Sequence, residues 1–245
     1  MSSRPDPFCA APPPETVRGI FTRIADIYDR LNRLLTFGVD VLWRRRALAV
    51  LATRLADVSA VRILDLATGT ADFALAAAQR FPSAQITGVD LTPAMLAVGR
   101  RKIDAAGWAA RIDLMEGSAQ ELAFPAAMFD AALCAFGFRN FVEPDAALAE
   151  VTRVLKPGGR LVVLELFRPR RTLLGRATAV WLRLAAPLFA GRRKGAYAYL
   201  RTSIARTCTA DAFVARAAVC GLVCEDRRFF LPACTCFVFR RNALK

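Results

Sequence analysis

The sequence predicts an α/β fold: a seven-stranded, mostly parallel sheet with helices on both faces and an antiparallel hairpin at its C-terminal edge. Three observations predict it. From residue 61 onward, short continuous apolar runs alternate with segments of helical period, as parallel strands buried on both faces do. Hydrophobic residues make up 55 % of the 245, which is ample for a large core and excludes a disordered chain. No run of about eighteen uncharged apolar residues occurs, so no spanning helix is expected.

Met1 to Pro14 is Pro-rich and lacks the apolar stretch of a signal peptide, which predicts a disordered leader over residues 1–14. Residues 15–245 are expected to form one domain, opening with N-terminal helices over 15–58. From Glu15 to Leu35 apolar residues recur at three and four, predicting one helix with a wide apolar stripe. Gly38 breaks it, and a second helix runs from Val39 to Leu55 with Trp43-Arg44-Arg45-Arg46 on it. Strands are then predicted at Val61–Leu66, Gln85–Asp90, Ile112–Glu116, Phe129–Ala135 and Arg160–Leu166, with helices at Asp72–Arg80, Pro93–Ala105 and Pro144–Leu155. Thr92 before Pro93 is a start signal, a side-chain cap followed by the residue that suits the first turn. Gly107 ends that helix, and Lys156-Pro157-Gly158-Gly159 is expected to turn the chain out of the later one. A helix at Thr209–Ala218 and strands at Leu222–Arg228 and Cys234–Phe239, separated by Leu231-Pro232-Ala233, complete the pattern.

Charge and side-chain inventory narrow the chemistry. Lys and Arg number 35 against 21 Asp and Glu, a net charge of +14, and there is no histidine. Any general base is therefore another side chain or a water, and a zinc site would lack its commonest nitrogen ligand. The 7 cysteines are odd in number, and the chain is long enough to fold without staples. Cys220-x-x-x-Cys224 and Cys234-x-Cys236 sit in apolar surroundings and read as small buried hydrophobes rather than metal ligands. No metal is expected, and the thiols point to a reducing, cytoplasmic setting.

In an open parallel sheet, ligands bind beyond the carboxyl ends of the strands. The loop there, Asp65-Leu66-Ala67-Thr68-Gly69-Thr70-Ala71-Asp72, is not the dinucleotide fingerprint, because Gly69 alone occupies one of its glycine positions. Instead Asp65 ends the first strand and Asp90 ends the next. A carboxylate at that second strand end can accept the hydroxyls of a ribose.

A strand ending in an acid, a Gly/Thr loop and a second acid-ended strand resemble the class I S-adenosylmethionine-dependent methyltransferases, which are Rossmann-like. Further residues resemble one family among them, the ubiquinone/menaquinone biosynthesis C-methyltransferases. They are Tyr28-Asp29-x-Leu31-Asn32 with Phe37-Gly38 and Trp43-Arg44, then Ala135-Phe136-Gly137-Phe138-Arg139-Asn140-Phe141, Leu155-Lys156-Pro157-Gly158-Gly159 and Tyr197-x-Tyr199-Leu200-x-x-Ser203-Ile204. The resemblance runs from about Val17 to Leu222. It implies S-adenosylmethionine as cofactor, with Asp65, Gly69, Thr70, Asp90, Ser118, Ala119 and Ala135 around it. Asp65 would hold the cationic end and Thr70 the amino-acid part, Asp90 the ribose, and Ser118-Ala119 the adenine. At Ala135 a serine is usual in the family, so only backbone could serve there. Ala67 and Ala71 stand where these enzymes usually have glycine, so a right-handed or displaced loop is expected at those positions.

The resemblance also implies methyl transfer to a ring carbon of a polyprenyl quinol. Arg139 and Asn140 are the leading catalytic candidates, Arg139 as an electrostatic holder of an oxyanion or a water, followed by Tyr28 and Asp72. Competing readings stay open. Arg139 could pair with Asp145 or Glu143, Tyr28 could be core packing, and the acceptor could be another small aromatic or lipid methylated at carbon or oxygen. Arg201 stands where the family has proline, which bears on the substrate rather than the cofactor.

Residues 167–206 form a basic amphipathic insert with ten cations and no acid, and Leu173, Ala177, Val180, Trp181, Leu184 and Leu188 share one helical face. A cationic amphipathic segment with Trp suits an anionic membrane surface, which predicts peripheral attachment to the inner face of the membrane. Nucleic acid is disfavoured, because no basic strand studded with aromatics accompanies the charge. A homo-oligomer stays open.

Overall fold

The computed structural model describes residues 13–56, 58–168, 194–230 and 234–243. Its strands are β1 (Arg62–Leu66), β2 (Gln85–Asp90), β3 (Ile112–Glu116), β4 (Phe129–Ala135), β5 (Leu155–Leu166), β6 (Leu222–Phe229) and β7 (Cys234–Arg241). They form one sheet in the order β3-β2-β1-β4-β5-β7-β6. The first five are parallel, and β7 runs antiparallel between β5 and β6. The expected architecture is therefore present. Leu231-Pro232-Ala233 lies outside the described residues, as do residues 1–12 with Cys9 and the six apolar positions of the insert.

Side chains alternate across a strand, and here both faces are covered. Ile63, Leu133, Val162 and Val238 pack into one core with α3 (Val39–Arg54) and α4 (Asp72–Arg80). Their neighbours Leu64, Cys134, Val163 and Phe237 pack into the other with α6 (Pro144–Val154) and α8 (Ala210–Val219). This explains why the strands read as unbroken apolar runs. Thr209 caps α8, accepting from the Ala212 N–H at 3.2 Å.

Several local expectations are corrected. The N-terminal helix is not continuous: α1 (Pro14–Ile24) gives way to a 3-10 turn (Ala25–Ile27) before α2 (Tyr28–Thr36). Helix α1 begins at Pro14, one residue before the expected start of the folded domain. Thr92 precedes α5 (Pro93–Ala105) without a side-chain cap, and its backbone N–H donates to Asp90 at 2.8 Å. The Lys-Pro-Gly-Gly segment falls inside β5, which starts at Leu155, yet it turns as expected: Phe129 pairs with Leu155 and Ala131 with Arg160, so residues 156–159 bulge out against Asp130, with Gly158 at φ 74°. Ala67 and Ala71 are left-handed after all, at φ 50° and 64°, so the loop keeps the geometry that glycine would give and bears the Cβ strain.

Burial pushes the thiols up, to about 12 at Cys208 and Cys236, and the six cysteines among the described residues are free. Among the described residues no group of three or more His, Cys, Asp or Glu could hold a metal, and no helix is long and apolar enough to cross a membrane.

Candidate active site

Strand order reverses between β1 and β4, and the carboxyl ends of β1, β2 and β4 open there into a cavity of about 310 Å³. Gly69, Asp90, Ser118, Ala119, Ala135 and Asn140 line it, together with Tyr28 from the N-terminal helices. Sequence reasoning thus brings seven of its residues to one cavity. Asp90 is the one carboxylate among the described lining residues, and Arg18, paired with Glu116 at 3.2 Å, is the one cation. Among the described lining residues no ring of cations stands ready for a phosphate.

Asp90 is held by two backbone donors, the Gly69 N–H at 2.9 Å and the Thr92 N–H at 2.8 Å. Burial raises its pKa, and these donors work against that rise. Two carboxylate oxygens offer about four acceptor sites, so room remains for a ribose hydroxyl. Ser118 accepts the Gln120 N–H at 3.1 Å, leaving its own proton to give. Met95, Leu91 and Val89 supply apolar surface beside it.

At the other end the cavity is aromatic. Phe21 of α1 meets Tyr28 edge-on at 5.8 Å and Tyr199 at 6.2 Å. Tyr199, on α7 (Lys194–Arg206), donates its hydroxyl proton to Asn140 Oδ1 at 2.8 Å. Burial raises the pKa of both phenols, while the charge of Arg139 works the other way.

Arg139 itself does not reach the cavity. Its side chain is 7 % exposed and donates from Nη1 to Glu165 Oε1 at 2.6 Å and to the Phe136 carbonyl at 2.7 Å. An ion pair was one expectation, but the partner is Glu165 rather than Asp145, which instead pairs with Arg216, or Glu143. Burial opposes the charge of Arg139, and Glu165 more than offsets it, so its pKa is raised.

Asp65, Thr70 and Asp72 also stand outside the main cavity. They line a narrow cleft of about 20 Å³ beside it, with Tyr28 and Arg44, and the two spaces share Tyr28, Ala67, Gly69 and Ala135. Asp65 accepts the Thr68 hydroxyl at 2.6 Å and the Ala74 N–H at 3.1 Å, and burial pushes its carboxyl up to about 7. The Thr70 hydroxyl is committed to Asp29. Asp72 pairs with Lys102 at 2.5 Å and Arg33 at 2.9 Å; burial alone would raise its pKa, but these cations and Arg44 lower it.

Sequence reasoning assigned no role to Arg44, Lys102, Glu165 or Tyr199. One signal was legible. Asp40 and Arg44 stand an i,i+4 step apart on the same stripe as Ala47, Leu48 and Leu51, where charges survive only if paired. The other partners come from elements far apart in the chain.

An acid-ended β2 beside a single-glycine loop, over this sheet order, defines the class I methyltransferases, whose methyl donor is S-adenosylmethionine. The chain belongs to the ubiE/COQ5 methyltransferase family, whose model matches residues 12–226. It is 44 % identical over 205 residues to a protein of Thermus thermophilus named demethylmenaquinone methyltransferase, covering 82 % of this chain and 90 % of that one. It is 41 % identical over 210 residues to one of Geobacter sulfurreducens named ubiquinone/menaquinone biosynthesis C-methyltransferase UbiE, covering 84 % and 80 %. Among solved structures, a SAM-dependent methyltransferase of Aquifex aeolicus superposes with a TM-score of 0.58 at 14 % identity, covering 80 % of this chain and 89 % of that one. The cyclase SpnF superposes at 0.62 with 21 % identity, covering 82 % and 81 %. The fold alone therefore does not decide the reaction.

Proposed function

We propose that the chain methylates a ring carbon of a reduced polyprenyl quinone, a demethylmenaquinol or its ubiquinone counterpart, using S-adenosylmethionine. The observation that carries the reading is the two-ended cavity. One end offers a carboxylate and hydrogen-bonding groups beside apolar surface, which suits adenosine, and the other offers aromatic walls with phenol and amide groups, which suits a hydroxylated ring. The names of the relatives support the same substrate class.

When bound, the cofactor supplies an electrophilic methyl group. The donor set fits it: Asp90 for the ribose, Ser118 and the Ala119 backbone for the adenine, and Asp65 in the cleft for positive charge. On the acceptor side, a quinol hydroxyl passes its proton to water so that density reaches the neighbouring carbon, and after the methyl group arrives that carbon's own proton also leaves to water, restoring the aromatic ring. Tyr28, kept protonated by burial, donates to the developing oxyanion, and Asn140 orients the hydroxyl. Tyr199 fixes Asn140. Arg139 acts at one remove, by holding the turn that carries Asn140 and by placing positive charge behind both phenols. Fixed donors and charges of this kind stabilise the transition state without reorganising.

Incubation with labelled S-adenosylmethionine and membrane quinol extracts tests the reading. Label is expected in a polyprenyl quinol, on carbon. Label in another lipid or aromatic, or on oxygen, overturns it. The basic insert would bring the enzyme to the anionic bilayer where such a substrate resides, and its ten cations without an acid support that placement.

A further inference from the structure

Polar and apolar groups are inverted at the turn from α2 to α3. Inside it, Asp40 is fully buried and takes charge-assisted hydrogen bonds from Arg33 and Arg44, while the Thr36 hydroxyl donates to its Oδ1 at 2.9 Å. Outside it, Phe37 is 71 % exposed, and Leu34, Val39 and Leu42 are 38–44 % exposed. These are four of the nine large hydrophobics exposed among the described residues, and all fall between residues 34 and 42. Single exposed apolar side chains are ordinary, but a cluster on one projection marks a contact surface. Phe37 sharpens the point. It sits in the left-handed region at φ 51°, next to Gly38 at 75°, where a bulky residue is costly and Gly or Asn would serve. Keeping a large ring at the apex in that conformation points to a use for its side chain.

The charges around the turn indicate what it meets. Asp40 is the one acid between residues 30 and 54, and it is buried, so every exposed charge there is a cation. Arg30 lies one helical turn before Leu34 on α2, and Arg45 and Arg46 lie one turn after Leu42 on α3, at the spacings that share a face. All three are exposed, and none has an ion-pair partner among the described residues. An apolar tip above a collar of unpaired arginines matches an anionic bilayer, whose phosphates lie just outside its acyl chains. A second copy packed on the same patch would instead set these arginines against one another.

We propose that the α2–α3 turn enters the headgroup region of an anionic membrane, with Leu34, Phe37, Val39 and Leu42 towards the acyl chains and Arg30, Arg45 and Arg46 on lipid phosphates. This goes beyond the reaction read above, and it involves an element other than the basic insert. Tyr28 in the cavity wall begins α2 and the turn ends it, 9 residues or about 14 Å away, so a lipid drawn from that surface has a short path to the site. The mounting is firm, because Trp43, next to Leu42, stacks on Phe230 at 6.1 Å with 4° between the rings.

Fluorescence and sedimentation of the full chain with vesicles of phosphatidylglycerol and phosphatidylcholine test this. In Phe37→Trp, brominated lipids are expected to quench emission beyond the quenching of the parent's own 3 tryptophans. Leu34→Gln, Phe37→Asn and Leu42→Gln combined should lower vesicle affinity at least tenfold, and the loss should persist at high salt, where attraction to basic segments is screened. Asn tolerates the left-handed position, and circular dichroism checks the fold of each variant. Replacing Arg30, Arg45 and Arg46 with Gln should weaken binding at low salt and change it little at high salt. Absence of extra quenching overturns the proposal, as does vesicle binding by the apolar variant equal to the parent's. A parent dimer that only the apolar variant breaks up, read by sedimentation velocity, overturns it in favour of a second copy. Label on a different acceptor would defeat the quinol reading and leave this surface in place, so the two are tested separately.

Discussion

Asp65 is a carboxyl that the fold prefers neutral. Its folded pKa of about 7 lies above its ordinary 3.8, because burial outweighs the two hydrogen bonds that favour its ionised form. The sign follows from proton linkage: the stabilisation is complete below pH 3.8 and is lost as pH rises through 7. Asp65→Asn is therefore expected to flatten the decline in stability between pH 5 and 8, measured as the difference in urea midpoint between parent and variant across that range. An unchanged slope would mean Asp65 is ionised throughout. Arg139 poses the opposite case, a buried cation whose partner Glu165 is 0 % exposed. Removing the cation alone leaves a buried, unmatched carboxylate, so Arg139→Ala should destabilise the protein by about 3–5 kcal/mol. Arg139→Gln combined with Glu165→Gln should recover most of that stability while turnover stays low and cofactor affinity holds. Normal turnover in the folded double variant would reduce Arg139 to a structural ion pair.

At the scale of elements, two junctions matter. The loop from β1 to α4 carries Ala67, Gly69 and Ala71, all at positive φ. Ala67→Gly relieves about 1–2 kcal/mol of left-handed strain and adds unfolded-state freedom worth about 0.4–1 kcal/mol, so it should raise stability by up to about 1 kcal/mol. Ala71→Gly should gain less, because the Ala71 methyl is fully buried and its packing is lost. Thermal melts of the two variants read the contrast. The second junction is ionic. Asp29 and Arg33 on α2, and Asp40 and Arg44 on α3, meet Asp72 on α4 and Lys102 on α5. These ions clasp the helices that carry Phe21 and Tyr28 over the cavity. Lys102→Met should leave Asp29 and Asp72 facing each other, speed hydrogen exchange through residues 14–36 and spare the sheet. Uniform exchange in parent and variant would show that apolar packing alone holds these helices.

For the whole molecule, net charge sets which surfaces attract it. Each cation near an anionic bilayer contributes about 1 kcal/mol, and salt screens it over a Debye length of about 8–10 Å. The protein should sediment with anionic vesicles at low salt, less at high salt, and less with neutral vesicles. Reversing Arg192, Arg193 and Lys194 to Glu should release it and slow methylation of long-tailed quinols while sparing a tail-less analogue. Undiminished vesicle binding by the reversed protein would make these cations ordinary surface charge.

The sequence by itself determined the fold class, the boundaries of nearly every strand and the cavity residues at strand ends. Those features follow from local periodicity and from topology: strands buried on both faces read as apolar runs, and the switch point of such a sheet places β1, β2 and β4 ends together. Asp90 was legible for that reason, whereas Ser118 and Asn140 were legible through the resemblance to the family. Tertiary structure alone decided that Arg139 faces Glu165, 26 positions away, that Thr70 turns to Asp29, 41 positions away, and that Arg44 comes within 4.0 Å of Asp72 on another helix. A charged side chain takes whichever buried partner satisfies it, and that partner is set by packing between distant elements rather than by spacing along the chain.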